Sequence, residues 1–525
     1  MGLITASGKK GVVASGHKET SNAAARILEE GGNAFDAVMA GMCAATVAEP
    51  MLVSLGGGGF LVAKPKTETP RVYDFFCQTP LEPRPEDEID FYPFIADFGW
   101  TQQEFHIGMG AIAVPGVVAG LFAVHRDLGR LPIKEIVRPA VELAREGVRV
   151  NEFQAEVLHV LRPIYDATRE AHQLYASPDD ESALLKAGEI QKFAKLADTL
   201  EWLAEDGEVV FYRGDLAQQL VRDCAELGGQ LTLKDLDSYR VERRRPVDFS
   251  YHGAQIAINS PPSLGGGLIA FALNLLENSR FRESTVDWGS ETHLSDLLRA
   301  MHGANSIRRE FSLDKGCTDQ RMEEFLDPEV IARWRAIPVG QLFSRGTTHI
   351  SVADREGDLA SMTTSNGEGC GYVLPGTDIM LNNMLGEEDL NPQGFYNWKP
   401  GMRMASMMSP VVAHLPDGSY VALGSGGSNR IRSAVTQVLI NLVDFQMSLS
   451  DAIQAPRMHL EKARLSMESG FSEEVVTALE SVVDEVEPWG GQNLFFGGVH
   501  AVRWSPDRTL SGYGDARRSG HVAFA

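Results

Sequence analysis

Arg345-Gly346-Thr347-Thr348-His349-Ile350-Ser351-Val352-Ala353-Asp354 is the stretch on which the reading of this chain turns. A glycine, free to take backbone angles denied to other residues, stands directly before a threonine. The residues after it read as a strand, with Thr347, His349, Ser351 and Ala353 on one face and Thr348, Ile350 and Val352 on the other. Arg355-Glu356-Gly357-Asp358 is a turn signal, and Leu359-Ala360-Ser361-Met362-Thr363-Thr364-Ser365 reads as the return strand. A tight hairpin here pairs positions whose numbers sum to roughly 712, which brings Ser365 back beside Thr347. Two hydroxyls would then meet at the open end of a hairpin. Ordinary strand threonines on a surface hairpin are the competing reading of this stretch taken alone.

Working outward, composition narrows the class. At 525 residues the chain has room for about three or four units of typical domain size. With 43% hydrophobic and 23% charged residues it resembles a soluble globular protein able to bury a large core. A formal net charge of −23 disfavours nucleic acid or an anionic membrane as the main partner. Five scattered cysteines, Cys43, Cys77, Cys224, Cys317 and Cys370, include no C-x-x-C pair. They argue against a disulfide framework and a structural zinc site. A reduced, cytoplasmic protein is the expectation, and Met1 to Lys10 lacks the apolar run of a signal peptide. Neither an H-E-x-x-H helix nor a Cys/His cluster is present, so no metal or organic cofactor is expected.

In chain order, Gly11–Ala14 predicts a strand, and Thr20 or Ser21 predicts the cap of a helix ended by Gly31-Gly32. Asn33 predicts the cap of a buried helix that stops before Pro50. The run Leu55-Gly56-Gly57-Gly58-Gly59-Phe60 lacks the Gly-Lys-Ser/Thr of a phosphate loop and is read as close backbone packing. Residues 115–220 are mainly helical in pattern, including Ile136–Ala144 and Ile190–Leu203. Thr232 predicts a short helix, and Asn259-Ser260-Pro261-Pro262-Ser263-Leu264-Gly265-Gly266-Gly267 predicts a loop before a helix over Leu268–Glu277. After Thr347, strands are predicted over 348–354, 359–365, 411–415, 420–424 and 498–504, with helices near 431–447 and 472–485. Many strands with flanking helices, lacking regular βαβ alternation, indicate a layered α/β fold.

These stretches together resemble the γ-glutamyltranspeptidase family of N-terminal-nucleophile hydrolases. The resemblance rests on Glu29–Ala37, Leu55–Phe60, Pro115–Gly120, Pro261–Gly267, Thr347-Thr348-His349, Leu381-Asn382-Asn383, Ser409-Pro410 and Gly424-Ser425-Gly426-Gly427. It implies a four-layer αββα sandwich, made as one precursor and cut between Gly346 and Thr347. The products, 1–346 and 347–525, would stay associated as one intertwined fold. The Thr347 hydroxyl would attack the Gly346 carbonyl, water would resolve the ester, and the freed α-amine would serve as base to its own hydroxyl. An α-amino group has a reference pKa of about 7.7–8.0, so part of it is neutral near pH 7. His349 is then packing rather than chemistry. The resemblance further implies that Ser365 contacts the nucleophile and that backbone N–H groups of Gly426-Gly427 form the oxyanion hole. A dinucleotide fold around this glycine turn is rejected, because the third glycine and a following βα unit are absent.

The departures fall on substrate recognition. Phe76 stands where family members carry a carboxylate-binding arginine, and a phenyl ring cannot make paired guanidinium bonds. Arg84 is a nearby substitute, with a solvated surface arginine as the competing reading. Glu387 aligns with the aspartate that binds the substrate α-amino group, against the alternative of an exposed acidic loop with Glu388 and Asp389. Ser406-Met407 replaces a pair of serines, so Met407 exchanges a hydroxyl for apolar surface. The expectation is a self-processing threonine hydrolase acting on a small amide. By resemblance the donor is a γ-glutamyl compound such as glutathione, with transfer to water or an amine. The alternatives are an acylase with Phe76 and Met407 as an apolar wall, and an uncut binding or structural relative.

Overall fold

The structure, a computed structural model, describes residues 4–97, 102–283, 285–335, 347–391, 393–461 and 464–525. Two seven-stranded sheets organise it, and every strand pair within them is antiparallel. The first runs in the order Glu242–Arg244, Arg71–Phe75, Gly58–Lys64, Leu359–Ser365, Thr348–Asp354, Gly11–Ser15, His521–Phe524. The second runs Ile4–Ala6, Leu510–Tyr513, Gly498–Trp504, Tyr420–Gly426, Val411–His414, Ala254–Ile258, Val247–Tyr251. Both sheets mix strands from before and after Thr347, and ladders such as Gly58–Lys64 with Leu359–Ser365 and Gly11–Ser15 with Thr348–Asp354 join the two portions.

Strand alternation sorts the side chains of Thr348–Asp354 as its sequence predicts. Ile350 and Val352 join Ala37, Met42 and other residues of the helix Ala34–Ala48 in one apolar cluster. Ala353 points the other way, into a cluster with Val12, Val62, Val412, Ala422 and Val502 drawn from both sheets. On the second sheet, Leu423 joins residues of the helices Gly265–Leu276 and Arg430–Val443, such as Leu268 and Ile431. Each sheet therefore turns one face to the other sheet and one to helices.

The hairpin has the predicted register. Thr348 lies opposite Thr364 and Ser351 opposite Ser361, so paired numbers sum to 712. Asn33 caps the Ala34–Ala48 helix in a full capping box with Asp36, and all fifteen helical residues are buried. The helix is rich in small residues, and Gly41 faces Ala24 and Ile350. The glycine run packs backbone on backbone as read. A Cβ on Gly57 would lie 2.3 Å from the Ser365 carbonyl oxygen, and one on Gly58 2.8 Å from the Cys77 nitrogen. This strand thus draws the end of the hairpin and the residues after Phe75 together.

Three local expectations are corrected. The helix Lys18–Glu29 is capped by His17, whose Nδ1 accepts from the Glu19 N–H, while Thr20 and Ser21 lie inside it. Gly265-Gly266-Gly267 form the first turn of the helix Gly265–Leu276 rather than the loop before it. Side chains at Gly265 and Gly266 would meet the carbonyls of Met407 and Asn259 at 2.2 and 2.1 Å. The helix predicted from Ile190 begins at Ala194, because Ile190–Gln191 pairs as a strand with Val148–Arg149. No described helix is long and apolar enough to cross a membrane.

Candidate active site

Thr347 opens the strand Thr348–Asp354 and is almost fully buried. The hairpin register carries Ser365 opposite it, and both line a cleft of about 80 Å³. Phe76, Glu387, Ser406 and Met407 line the same cleft. The structure thus brings together six of the residues singled out from the sequence. Gly346 lies outside the described residues, so the expected cleavage site is described only from Thr347 onward.

The second sheet closes the site from the opposite side. Gly426, at the end of Tyr420–Gly426, meets Thr347 so closely that a Cβ there would lie 1.8 Å from the Thr347 carbonyl oxygen. Gly427 follows with φ +118°, a conformation that strains any L side chain. Gly426 and Thr347 also line a second, smaller cavity of about 20 Å³ with Glu49, Thr348, His500 and Arg518. The threonine therefore stands in the wall between two cavities.

Each cleft residue is held by its own contacts. Ser365 Oγ accepts from the Gly367 N–H at 3.0 Å. Ser406 Oγ accepts from the Met408 N–H at 3.1 Å, and the Ser406 carbonyl accepts from Leu264 and Gly265 at the start of the Gly265–Leu276 helix. Phe76 stacks on Phe60 with centroids 5.4 Å apart, and its carbonyl accepts from Tyr239 and Arg403. Glu387 is buried, its Oε1 only 2.3 Å from where a Gly367 Cβ would sit, so the exposed-loop reading of this residue is overturned. Glu388 is exposed, whereas Asp389 lines the cleft and accepts from Ser428 at 3.0 Å.

Arg84 and Arg403 are committed away from the cleft. Arg84 pairs with Glu88 and donates to the carbonyls of Cys224 and Gly229. It lies outside the cleft, partly exposed, and ties its own loop to the end of the Asp215–Leu227 helix. Arg403 is buried against Asp74, the Phe76 carbonyl and the Tyr239 hydroxyl. Among the described residues lining the cleft there is no lysine or arginine, while Asp314, Glu387 and Asp389 supply three carboxylates.

His349 is packing, as expected. Its Nδ1 meets Thr363 Oγ1 at 2.7 Å and its Nε2 meets Ser351 Oγ at 2.9 Å, and burial holds its pKa well below the ordinary histidine value. Gly424 makes room for the ring, since a Cβ there would lie 2.3 Å from it.

Sequence reasoning missed Glu49 and Arg518. The Glu49 carboxyl accepts from Thr20 and Thr348, and burial pushes its pKa upward despite those bonds. Arg518 donates to the Thr347 carbonyl at 3.4 Å. Neither carries a local signal, because their partners lie 299 and 171 positions away.

Against this geometry the likenesses can be set. The profile of a family described as Gamma-glutamyltranspeptidase matches residues 20–525. The chain is 31% identical to the acylase ACY 1 proenzyme of Pseudomonas sp. (strain V22) over 97% of this chain and 92% of the relative. It is 29% identical to the glutathione hydrolase proenzyme of Escherichia coli (strain K12), over 97% and 90%. Its fold matches the crystal structure of cephalosporin acylase from Bacillus halodurans with a TM-score of 0.83 at 24% identity, covering 100% of this chain and 97% of that one. With the profile spanning nearly its whole length, the chain belongs to the γ-glutamyltranspeptidase family.

Proposed function

We propose that this chain is a self-processing amide hydrolase of the four-layer αββα type, cut before Thr347 and working through an acyl ester on the Thr347 hydroxyl. The observation that carries the reading is the meeting of Thr347 and Ser365 in one cleft with Gly426 pressed against the Thr347 backbone. In the cut enzyme the Thr347 amine takes the hydroxyl proton as Oγ attacks the donor carbonyl. Backbone N–H groups at Gly426-Gly427 meet the developing oxyanion, and fixed donors of this kind contribute a few kcal/mol. The amine returns its proton to the leaving nitrogen, and water or an amine then takes the acyl group. Ser365 Oγ orients the nucleophile.

The cleft favours a donor whose acyl group carries no free α-carboxylate. Such a carboxylate would meet Asp314, Glu387 and Asp389 with no guanidinium or ammonium among the described lining residues. Phe76, Met384, Met404 and Met407 offer apolar surface instead. This supports the acylase reading. Glu387 keeps an anion for an ammonium group, which is the feature that favours a γ-glutamyl donor as the second reading. Relatives named acylase and relatives named glutathione hydrolase both align over most of the chain, so the cleft chemistry is the discriminating argument.

The test compares kcat/KM for a γ-glutamyl anilide, the same compound with its α-carboxylate amidated, and a straight-chain acyl anilide. The proposal expects amidation to raise kcat/KM by about tenfold or more, as removal of an unpaired buried charge should. A free α-carboxylate donor that is best of the three and loses activity on amidation would reverse the assignment.

A further inference from the structure

Arg518 is a guanidinium in an unusual setting. It ends the single turn Ala516–Arg518 and packs its stem on Gly498, where a Cβ would lie 2.7 Å away. Its Nη1 and Nη2 each lie 3.3 Å from where Cβ atoms of Gly426 and Gly427 would sit, so the head rests on the glycine pair. From there Nη1 donates to the Thr347 carbonyl at 3.4 Å and Nη2 to the Leu494 carbonyl at 3.5 Å, both at the long end of hydrogen bonding. Among the described residues no carboxylate forms an ion pair with it, and its Nε has no hydrogen-bond partner. The neighbouring Arg517, by contrast, pairs with both Glu468 and Asp515. Holding a guanidinium without an ion pair costs stability, and that cost is incurred here beside the expected nucleophile.

We propose that Arg518 is a positioning residue that holds the Thr347 carbonyl and sets the protonation of the α-amine released on that residue when the chain is cut. The inference rests on the reading of Thr347 as the nucleophile. Arg518 Nη1 lies 3.4 Å from the carbonyl oxygen of the residue that carries the amine, and a fixed positive charge near an amine disfavours its ammonium form and so raises the share of neutral base near pH 7. The groups around Thr347 are neutral, positive and negative in turn. His349, on Thr347's own strand, and His500, on Gly498–Trp504, are held neutral by burial. His17, before the Lys18–Glu29 helix, is shifted the same way, and Glu49 is pushed toward its neutral acid. Arg430, on the helix after the glycine pair, adds positive charge around Arg518, while Glu368 and Asp515 oppose it. Glu387 and Asp389 face Thr347 across the cleft.

The test is a titration of the Thr347 amine in the cut wild-type enzyme, read from the pH dependence of amine acylation on the small fragment by mass spectrometry. The expected result is an apparent pKa about one unit below the ordinary α-amino range of about 7.7–8.0. The acid limb of kcat/KM should move up by about the same amount in R518M and stay in place in R518K, which keeps the charge. A merely structural arginine would lower activity in both variants without moving the limb. An amine that titrates at or above the ordinary range in the wild type overturns the proposal, whether or not R518M folds. A wild-type chain that stays uncut would instead remove the underlying reading of Thr347.

Discussion

Gly426 and Thr347 touch backbone to backbone, so closely that a Cβ on Gly426 would sit 1.8 Å from the Thr347 carbonyl oxygen. Thr347 directly precedes a strand of one sheet and Gly426 ends a strand of the other, and their contact joins the sheets beside the cleft. Nothing larger than hydrogen fits, and the carbonyl is backbone that cannot swing aside. G426A should therefore displace the glycine pair from Thr347. We expect kcat to fall about 100-fold or more, as removal of an oxyanion donor does, with a smaller change in KM. Steady-state kinetics on the purified variant would check this, and near-normal kcat would remove Gly426 from the site.

In the proposed mechanism Ser365 orients the Thr347 hydroxyl from the hairpin. S365A should lower kcat by on the order of 10- to 100-fold. It should also cost about 1–3 kcal/mol of stability, because the buried Gly367 N–H loses its acceptor. S365T, which keeps the hydroxyl, should recover most of both. Equal damage from the two variants would show that shape rather than the hydroxyl matters.

Arg84 offers the converse case. Its bonds to Glu88 and to the Cys224 and Gly229 carbonyls are structural. R84A should lower stability by about 1–2 kcal/mol in urea unfolding and leave KM for every donor unchanged. A large rise in KM for donors with a free α-carboxylate would assign Arg84 to substrate after all.

Acid should destabilise the folded chain. Burial lowers the His500 pKa to about 4 and that of His293 to about 3. Below the ordinary histidine value of about 6.5 the unfolded chain takes up these protons while the folded chain refuses them. Unfolding is thereby favoured as pH falls from about 6.5 toward 4, by on the order of 3 kcal/mol for His500 alone. Urea midpoints measured across that interval should drop steadily, and H500N should flatten the slope. A midpoint that does not change over the interval would refute the buried neutral assignment.

What the sequence disclosed follows from range. The hairpin register was legible because alternation and a short turn fix it within eighteen residues, and the Asn33 cap because its partner Asp36 is three positions on. The glycine run was legible as packing, since four adjacent missing side chains have few other uses. Glu387 was undecided between cleft and surface because its burial depends on Gly367 folding over it from another loop. The His17 cap was missed because a histidine ring replaces the usual short side chain. The Gly265–Gly267 turn was missed because helix propensity yields there to close carbonyl neighbours. Glu49 and Arg518 reach Thr348 and Thr347 only through the assembled sheets, and no local pattern announces them.

Intact mass under denaturing conditions, for the wild type and for T347A, tests the central claim most directly. The account predicts two wild-type species parted between Gly346 and Thr347, and one full-length species for T347A. A wild-type chain that stays full length on incubation, or a T347A chain cut at the same bond, would contradict it.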